Sequence, residues 1–315
     1  MAQSRIFMTG ASGYLGSVIT QLAIAQGYTV HGLSRNVSND EKLKRLGAVP
    51  IRGDLQTLDV LRAEGTDAQV IIHLADVMTR NPDYNEGLRI DAAAVDTICE
   101  ALKGTDKRLL VTSGSLVTAA DPTGRETTET SPRWEAPVND RHKAEDHAMS
   151  WAEKGVHVMS IRLAPYVYGR GGSGVQLFMK MAVGRGELIY IDDGDFKTSA
   201  VHVDDAARMY LLAAEKGNVR EAFNCTSSTN TTAWQLAQAM GSILDLPVKS
   251  VKFEDALATY GNFLTRFLCA VNRASSSKAV KMLGWQPREI GILEEIRTGS
   301  YVSVAQELRQ ELATV

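Results

Sequence analysis

The stretch that decides the fold is residues 9–16, which read Thr-Gly-Ala-Ser-Gly-Tyr-Leu-Gly. It follows the apolar run Arg5–Thr9, predicted as a strand, and it opens an amphipathic stretch predicted as a helix. Glycines between a strand and a helix are the context that a dinucleotide-binding turn requires. Gly10 allows the tight turn, Gly13 lets the backbone approach a pyrophosphate, and Gly16 lets the helix pack close to the strand.

The first half of the chain continues this alternation of short apolar runs and amphipathic stretches, which is typical of βα units on a parallel sheet. The predicted strands are residues 5–9, 28–33, 49–52, 70–74, 108–112 and 157–163. The helices predicted among them include residues 40–46, 92–102 and 141–154. The expected fold class is therefore α/β, with a Rossmann-type doubly wound parallel sheet.

The second half has a different rhythm, which begins after Pro165. Here the predicted helices are residues 175–183, 206–216, 232–244 and 253–268. The sequence therefore predicts a dinucleotide-binding domain over residues 1–165. A smaller, mostly helical substrate-binding region is expected over residues 166–315, with some segments returning to the first domain.

Composition excludes several classes of function. The 315 residues carry 34 Lys and Arg against 37 Asp and Glu, a net charge of -3, which favours neither nucleic acid nor an anionic membrane as a partner. The three widely spaced cysteines make no disulfide framework or zinc site, and neither a signal peptide nor a membrane span is predicted. We expect a cytoplasmic protein with a small-molecule substrate and, at most, a second copy of itself in a homodimer.

The end of the second strand indicates which dinucleotide binds. An Asp or Glu there accepts a hydrogen bond from the ribose hydroxyl of NAD, whereas an arginine accommodates the 2′-phosphate of NADP. Ser34 and Arg35 occupy this position, and the stretch around them has no acid. The sequence favours NADP(H), with NAD(H) as the alternative.

Taken together, the motifs resemble those of the extended short-chain dehydrogenase/reductase family, also called the NAD-dependent epimerase/dehydratase family. The motifs that carry the resemblance, in the family's order, are residues 9–16, 53–55, 73–75, 111–115, 162–169, 201–207 and 284–287. Because the motifs span most of the chain, the resemblance implies that the chain has the family's fold and its cofactor site. The full predicted cofactor site comprises Gly10, Ser12, Gly13, Tyr14, Leu15, Gly16, Ser34, Arg35, Asp54, Leu55, Leu74, Ala75, Pro165 and Val167.

In this family a Ser or Thr, a Tyr and a Lys carry the chemistry. The Ser or Thr binds the substrate oxygen, the Tyr exchanges its proton, and the Lys lies four residues after the Tyr on a helix. By resemblance, Ser113 or Ser115 fills the first role, with Gly114 as another occupant of that position.

The tyrosine is missing in either alignment of the helix. If Lys143 is the family's Lys, Asn139 stands at the Tyr position; if Arg141 is, Pro137 stands there. An amide gives up no proton near neutral pH, and proline has no donor. The second alignment agrees better with the length of the helix.

No tyrosine occurs between Tyr84 and Tyr166. Three outcomes follow: another residue supplies the proton, the reaction needs none at that point, or the domain performs no redox chemistry. Tyr166, Arg141 and Lys143 are the candidate replacements, whereas His73, at the end of an apolar strand, is predicted as a core residue. A positioned acid contributes roughly 10²–10⁴ in rate. The sequence therefore predicts an NADP(H)-dependent reductase of a small organic molecule that uses a nonstandard proton donor. The alternatives are a non-redox isomerase, cyclase or dehydratase, and a catalytically silent NADP(H) sensor.

Overall fold

The computed structural model of the protein describes residues 4–78, 81–137 and 139–313. The strands in these ranges are β1 (Arg5–Thr9), β2 (Thr29–Ser34), β3 (Val49–Arg52), β4 (Val70–His73), β5 (Arg108–Gly114), β6 (His157–Leu163), β7 (Tyr166–Tyr168), β8 (Leu188–Ile191), β9 (Lys197–His202), β10 (Ala222–Cys225), β11 (Ser228–Thr232) and β12 (Val248–Val251). The α-helices are α1 (Tyr14–Ala25), α2 (Val37–Arg45), α3 (Leu58–Asp67), α4 (Tyr84–Leu102), α5 (Arg141–Ser150), α6 (Ser173–Arg185), α7 (Val203–Lys216), α8 (Ala233–Leu244), α9 (Phe253–Leu268), α10 (Ser277–Leu283), α11 (Ile292–Thr298) and α12 (Tyr301–Ala313).

A seven-stranded parallel sheet forms the centre of the molecule, in the order β10-β6-β5-β4-β1-β2-β3. The strand order reverses between β1 and β4, and the carboxyl ends of strands beside such a reversal are where ligands bind in open α/β sheets. The predicted Rossmann-type α/β fold is therefore confirmed. The glycine turn after β1 lies at this reversal.

Helices cover both faces of the sheet, which explains why its strands are almost wholly apolar. On one face α1 and α7 pack together, with Ile19 and Tyr210 fully buried in a shared core. On the other face α3, α4 and α5 contribute Leu61, Ile98 and Ala148 to a second core. No helix in the described ranges is long and apolar enough to cross a bilayer.

The chain after Pro165 builds a smaller layer beside the sheet and also returns to it. Strand β10 pairs with β6 at the edge of the large sheet. The remaining strands form a three-stranded sheet, β11-β9-β7, and a two-stranded sheet, β12-β8. A third core lies between these strands and the helices α6, α8, α11 and α12. None of these strands was predicted, because the sequence after Pro165 lacks the regular alternation of apolar runs and amphipathic stretches that precedes it.

Several helix boundaries differ from the prediction. Helix α3 was not predicted at all; only its Leu61 and Gly65 are buried. Helix α4 begins at Tyr84, eight residues before the expected start, because the Asp83 side chain accepts hydrogen bonds from the backbone N–H groups of Asn85 and Glu86. Helix α9 is interrupted at Gly261, where φ is 79°.

Candidate active site

The glycine turn has the tight geometry that its sequence predicts. Gly10 has a φ of 73°, and the N–H of Gly13 donates to the Gly10 carbonyl at 2.9 Å. A Cβ on Gly16 would lie 2.2 Å from the Gly10 oxygen, so only glycine fits there. Gly13 precedes α1 and makes no side-chain cap, which leaves the first N–H groups of the helix available to an anion.

A cleft of about 570 Å³, which we call the turn cleft, extends from this turn along the ends of the strands. Of the predicted cofactor residues, it is lined by Gly10, Ser12, Gly13, Tyr14, Leu15, Gly16, Arg35, Asp54, Leu55, Leu74 and Ala75. Ser34 is the exception near β2. It is fully buried, and its hydroxyl donates to the Asn36 carbonyl instead of lining the cleft.

A second cleft of about 410 Å³ opens beside the start of α5, and we call it the α5 cleft. Pro165 and Val167, the last two predicted cofactor residues, line this one. The two clefts share the walls formed by Leu74, Ala75, Asp76, Thr112 and Leu163. They are therefore contiguous, and a ligand in the turn cleft has access to the α5 cleft.

Arg141 lies in the wall of the α5 cleft at the first turn of α5. Its backbone N–H donates to Asn139 Oδ1 at 3.1 Å, and its Nη2 donates to Asp76 Oδ2 at 2.5 Å. A Cβ on Gly114 would lie 3.8 Å from Arg141 Cδ, so the Arg141 side chain passes close to the end of β5. A positively charged side chain is thus held at the carboxyl ends of the strands.

Lys143 does not share this position. Its Nζ donates to Asp140 Oδ2 at 2.7 Å, and more than half of its side chain is exposed. Two residues along a helix from Arg141, it points to another side and is not among the residues that line the α5 cleft. The placement agrees with the alignment that puts Arg141 at the family's Lys position.

The two candidate serines are also separated. Ser113 lines the α5 cleft, is only 3% exposed, and its Oγ has no hydrogen-bond partner in the described part of the chain. Ser115 is fully buried away from the cleft, where its Oγ donates to Asn272 Oδ1 at 2.8 Å. Of the two predicted serines, Ser113 is therefore the one that faces the cleft, whereas Ser115 makes a buried contact elsewhere.

Tyr166 is likewise not among the residues that line the α5 cleft. Successive residues of β7 face opposite ways, so Val167 lines the α5 cleft while Tyr166 packs into the third core. Its ring lies 5.9 Å from Phe178 and 5.6 Å from Phe267 between centroids. Burial raises the pKa of its hydroxyl well above the usual value. A donor there is cut off from the cleft.

Other cleft residues were missed by the sequence reasoning. Asp76 and Asp91 line the α5 cleft, and so do Phe263 and Phe267 from the distant helix α9. The spacing of the two phenylalanines places both on one helical face, but nothing local indicates which cavity that face covers. His73 is buried as predicted, with both ring nitrogens hydrogen-bonded, yet it also lines the cleft.

Tyr84, the first residue of α4, is a tyrosine whose charge environment includes the cleft residues Arg141, Asp76 and Asp91. Its hydroxyl is buried with no hydrogen-bond partner among the described residues. Burial raises its pKa, and the positive charge of Arg141 opposes that rise. The described residues contain no group of three or more His, Cys, Asp or Glu side chains that could hold a metal ion.

The fold and the paired clefts define a nucleotide-binding protein of the Rossmann type, and comparison with known proteins gives the family. A model of the NAD dependent epimerase/dehydratase family matches residues 6–226. The chain belongs to this family, whose members include reductases, epimerases and dehydratases. Enzymatic activity and binding of an NAD(P) cofactor follow as properties of the family.

Three individual proteins that the chain resembles are at most one third identical to it. The uncharacterized protein YLL056C of Saccharomyces cerevisiae is 33% identical over 296 residues, which is 93% of this chain and 98% of that protein. A 4-hydroxy-2-methyl-3-oxo-4-farnesyl-3,4-dihydroquinoline-1-oxide ketoreductase of Stigmatella aurantiaca is 25% identical. The alignment covers 89% of this chain and 86% of the ketoreductase. A UDP-glucose 4-epimerase structure from Thermotoga maritima has a TM-score of 0.74 at 22% identity, over 96% of this chain and 99% of that one. The last likeness concerns the fold alone.

Proposed function

We propose that the protein is an NADPH-dependent reductase of a small organic carbonyl compound. The observation that carries this proposal is the continuity of the two clefts through Leu74, Ala75, Asp76, Thr112 and Leu163. A dinucleotide whose phosphates lie at the glycine turn would extend its other end towards Ser113 and Arg141. The similarity to a named ketoreductase over most of the chain supports reduction over other chemistry of the family.

The residues of the turn cleft fit the cofactor. Side chains at Gly10, Gly13 and Gly16 would fill the cradle, since a Cβ at each would come within 3.0 Å of backbone atoms. When bound, NADPH supplies the hydride. Arg35 lines the cleft at the end of β2, where a positive charge suits a 2′-phosphate, and this favours NADPH over NADH.

The chain's own residues would bind the substrate and stabilise the charge that develops on its oxygen. Ser113 offers a buried hydroxyl with an unused donor to that oxygen. Arg141, oriented by Asp76, places a fixed positive charge in the same cleft. Such preorganised charge stabilises an oxyanion strongly in a site that excludes water. The proton would then come from a donor other than the usual tyrosine.

The cleft also indicates what surrounds the reacting group. Leu116, Val117, Phe263 and Phe267 form an apolar part of the lining, and Phe263 is 56% exposed although it is a large apolar residue. Aromatic side chains prefer offset or edge contacts with other rings. We infer that the substrate has a flat apolar body, which would cover Phe263 when it binds.

The test is the oxidation of NADPH by the full chain with a panel of aromatic aldehydes and ketones, followed through the absorbance of the reduced nicotinamide. Stoichiometric formation of alcohol and NADP⁺ is expected. A product formed without net consumption of NADPH would instead identify an epimerase-type or other non-redox reaction. Tight binding of NADPH with no product from any compound of the panel would favour a sensor.

A further inference from the structure

A buried chain of hydrogen bonds joins the glycine turn to the α5 cleft through His73. Thr9 Oγ1 accepts from the backbone N–H groups of Leu74 and Ala75, each at 3.1 Å, and lies 2.9 Å from His73 Nδ1. His73 Nε2 lies 2.9 Å from Asp91 Oδ1. His73 and Asp91 are each 5% exposed, and both line the cleft.

His73 holds Asp91 in place through one carboxylate oxygen. Its Nε2 lies 2.9 Å from Asp91 Oδ1, while its Nδ1 lies 2.9 Å from the Thr9 hydroxyl. Both ring nitrogens therefore have a partner, and Asp91 Oδ2 is not the oxygen that His73 contacts.

The other two carboxylates of the cleft have cationic partners. Asp76 is paired with Arg141 at 2.5 Å. Glu145 is paired with the buried Arg162, whose Nη2 and Nε donate to Glu145 Oε1 at 2.6 and 2.9 Å. Among the carboxylates that line this cleft in the described part of the chain, Asp91 is the one paired with a histidine and not with an arginine. A buried charge is costly until a counter-charge or further hydrogen bonds compensate it.

We propose that Asp91 binds a protonated amine of the ligand in the α5 cleft. This deepens the proposed function and rests on it for the reaction, because it makes the substrate an aromatic compound with a cationic nitrogen near the reacting group. Asp91 Oδ1 is held by His73, so the second oxygen is the one that accepts from the ammonium. Ser113 lines the same cleft, and its unused Oγ provides a second acceptor.

Charge distinguishes an ammonium ligand from a hydroxyl ligand. Both donate hydrogen bonds, but only the ammonium neutralises the carboxylate. A hydrogen bond to a charged group is stronger than one between neutral groups, and the difference corresponds to a preference of about 2- to 30-fold for the ammonium. Removing the charge of Asp91 should abolish this preference.

The experiment is calorimetric titration of the full chain, saturated with NADP⁺, with three probes of equal shape. Benzylammonium carries the cation, benzyl alcohol carries a neutral donor, and toluene carries neither. Benzylammonium should bind about 2- to 30-fold more tightly than the other two. In Asp91→Asn it should bind more weakly by a similar factor, with benzyl alcohol little changed.

Glu64→Gln is the matched control. Glu64 Oε2 lies 2.9 Å from His31 Nδ1, so it is also a carboxylate beside a histidine, but neither residue lines the α5 cleft. This variant should bind benzylammonium as the wild-type chain does. Affinity for NADP⁺ verifies that each variant is folded.

Equal affinity of the wild-type chain for benzylammonium and benzyl alcohol would overturn the proposal without any variant. Unchanged affinity for benzylammonium in a folded Asp91→Asn variant would overturn it as well. Neither result depends on turnover. If NADPH-dependent reduction occurs but the cation preference is absent, only the role of Asp91 fails; if the cation binds and no reduction occurs, the reductase assignment fails.

Discussion

The glycine turn and the wall of the α5 cleft meet at the same edge of the sheet, yet they are built in opposite ways. The turn is eight consecutive residues whose backbone geometry allows little besides glycine at three positions. The wall combines Asp76, Asp91, Ser113 and Arg141 with α9, from segments far apart in the sequence. A local site can be identified from a motif, whereas an assembled site depends on tertiary placement.

The largest effect is expected in the turn. Gly16→Ala would place a methyl group 2.2 Å from the Gly10 oxygen, and both backbone segments would have to move. We expect the free energy of unfolding to fall by about 3 kcal/mol and NADPH binding to be lost. Thermal unfolding and a fluorescence titration with NADPH measure the two effects.

Gly184→Ala is the control for this variant. Gly184 is an exposed residue inside α6 with no atom within 4 Å of an added Cβ, so alanine should be neutral or stabilise the helix by up to about 1 kcal/mol. Equal losses of unfolding free energy in the two variants would show that Gly16 is no more constrained than an exposed helical glycine.

The next largest effect is expected in the wall. Arg141→Ala removes the positive charge and leaves Asp76 without that partner, and we expect kcat/KM for reduction to fall about 100- to 1000-fold. Lys143→Ala, two residues away, breaks only an exposed ion pair and should change kcat/KM by about twofold at most. Steady-state kinetics of both variants test the placement of α5. A larger fall of kcat/KM in Lys143→Ala than in Arg141→Ala would contradict that placement.

Cofactor choice connects the two regions. Arg35→Asp should lower the ratio of NADPH to NADH affinity by about 10- to 100-fold, because a cation beside the 2′-phosphate becomes an anion. Arg45→Asp makes the same change of charge on the exposed face of α2, outside the turn cleft, and should leave the ratio nearly unchanged. Equal shifts in both variants would indicate a general charge effect.

The smallest effects separate the two serines. Ser113→Ala should reduce kcat/KM by about tenfold while leaving stability unchanged or slightly higher, since a buried hydroxyl without a partner is removed. Ser115→Ala should do the opposite and lower the free energy of unfolding by about 1 kcal/mol, because Asn272 loses its partner. Denaturant unfolding and kinetics on the same samples distinguish them.

The sequence predicted the sheet strands well because buried parallel strands are short apolar runs, as in Val70–His73. It also predicted many residues of the turn cleft, because these lie in the turn after β1 or close to the ends of other strands. It could not separate Ser113 from Ser115, or Arg141 from Lys143, since neighbouring residues face different sides only once the element is placed. Asp91 and Phe263 carry no motif, and their position in the cleft depends on how α4 and α9 pack.

The central claim is that the two clefts form one NADPH site, and a crystal structure of the complex with NADPH tests it most directly. We predict the pyrophosphate at the first N–H groups of α1 and the nicotinamide ring in the α5 cleft, in contact with Pro165 and within reach of Ser113 and Arg141. A nicotinamide ring outside this cleft, or a dinucleotide bound away from the glycine turn, would contradict the account.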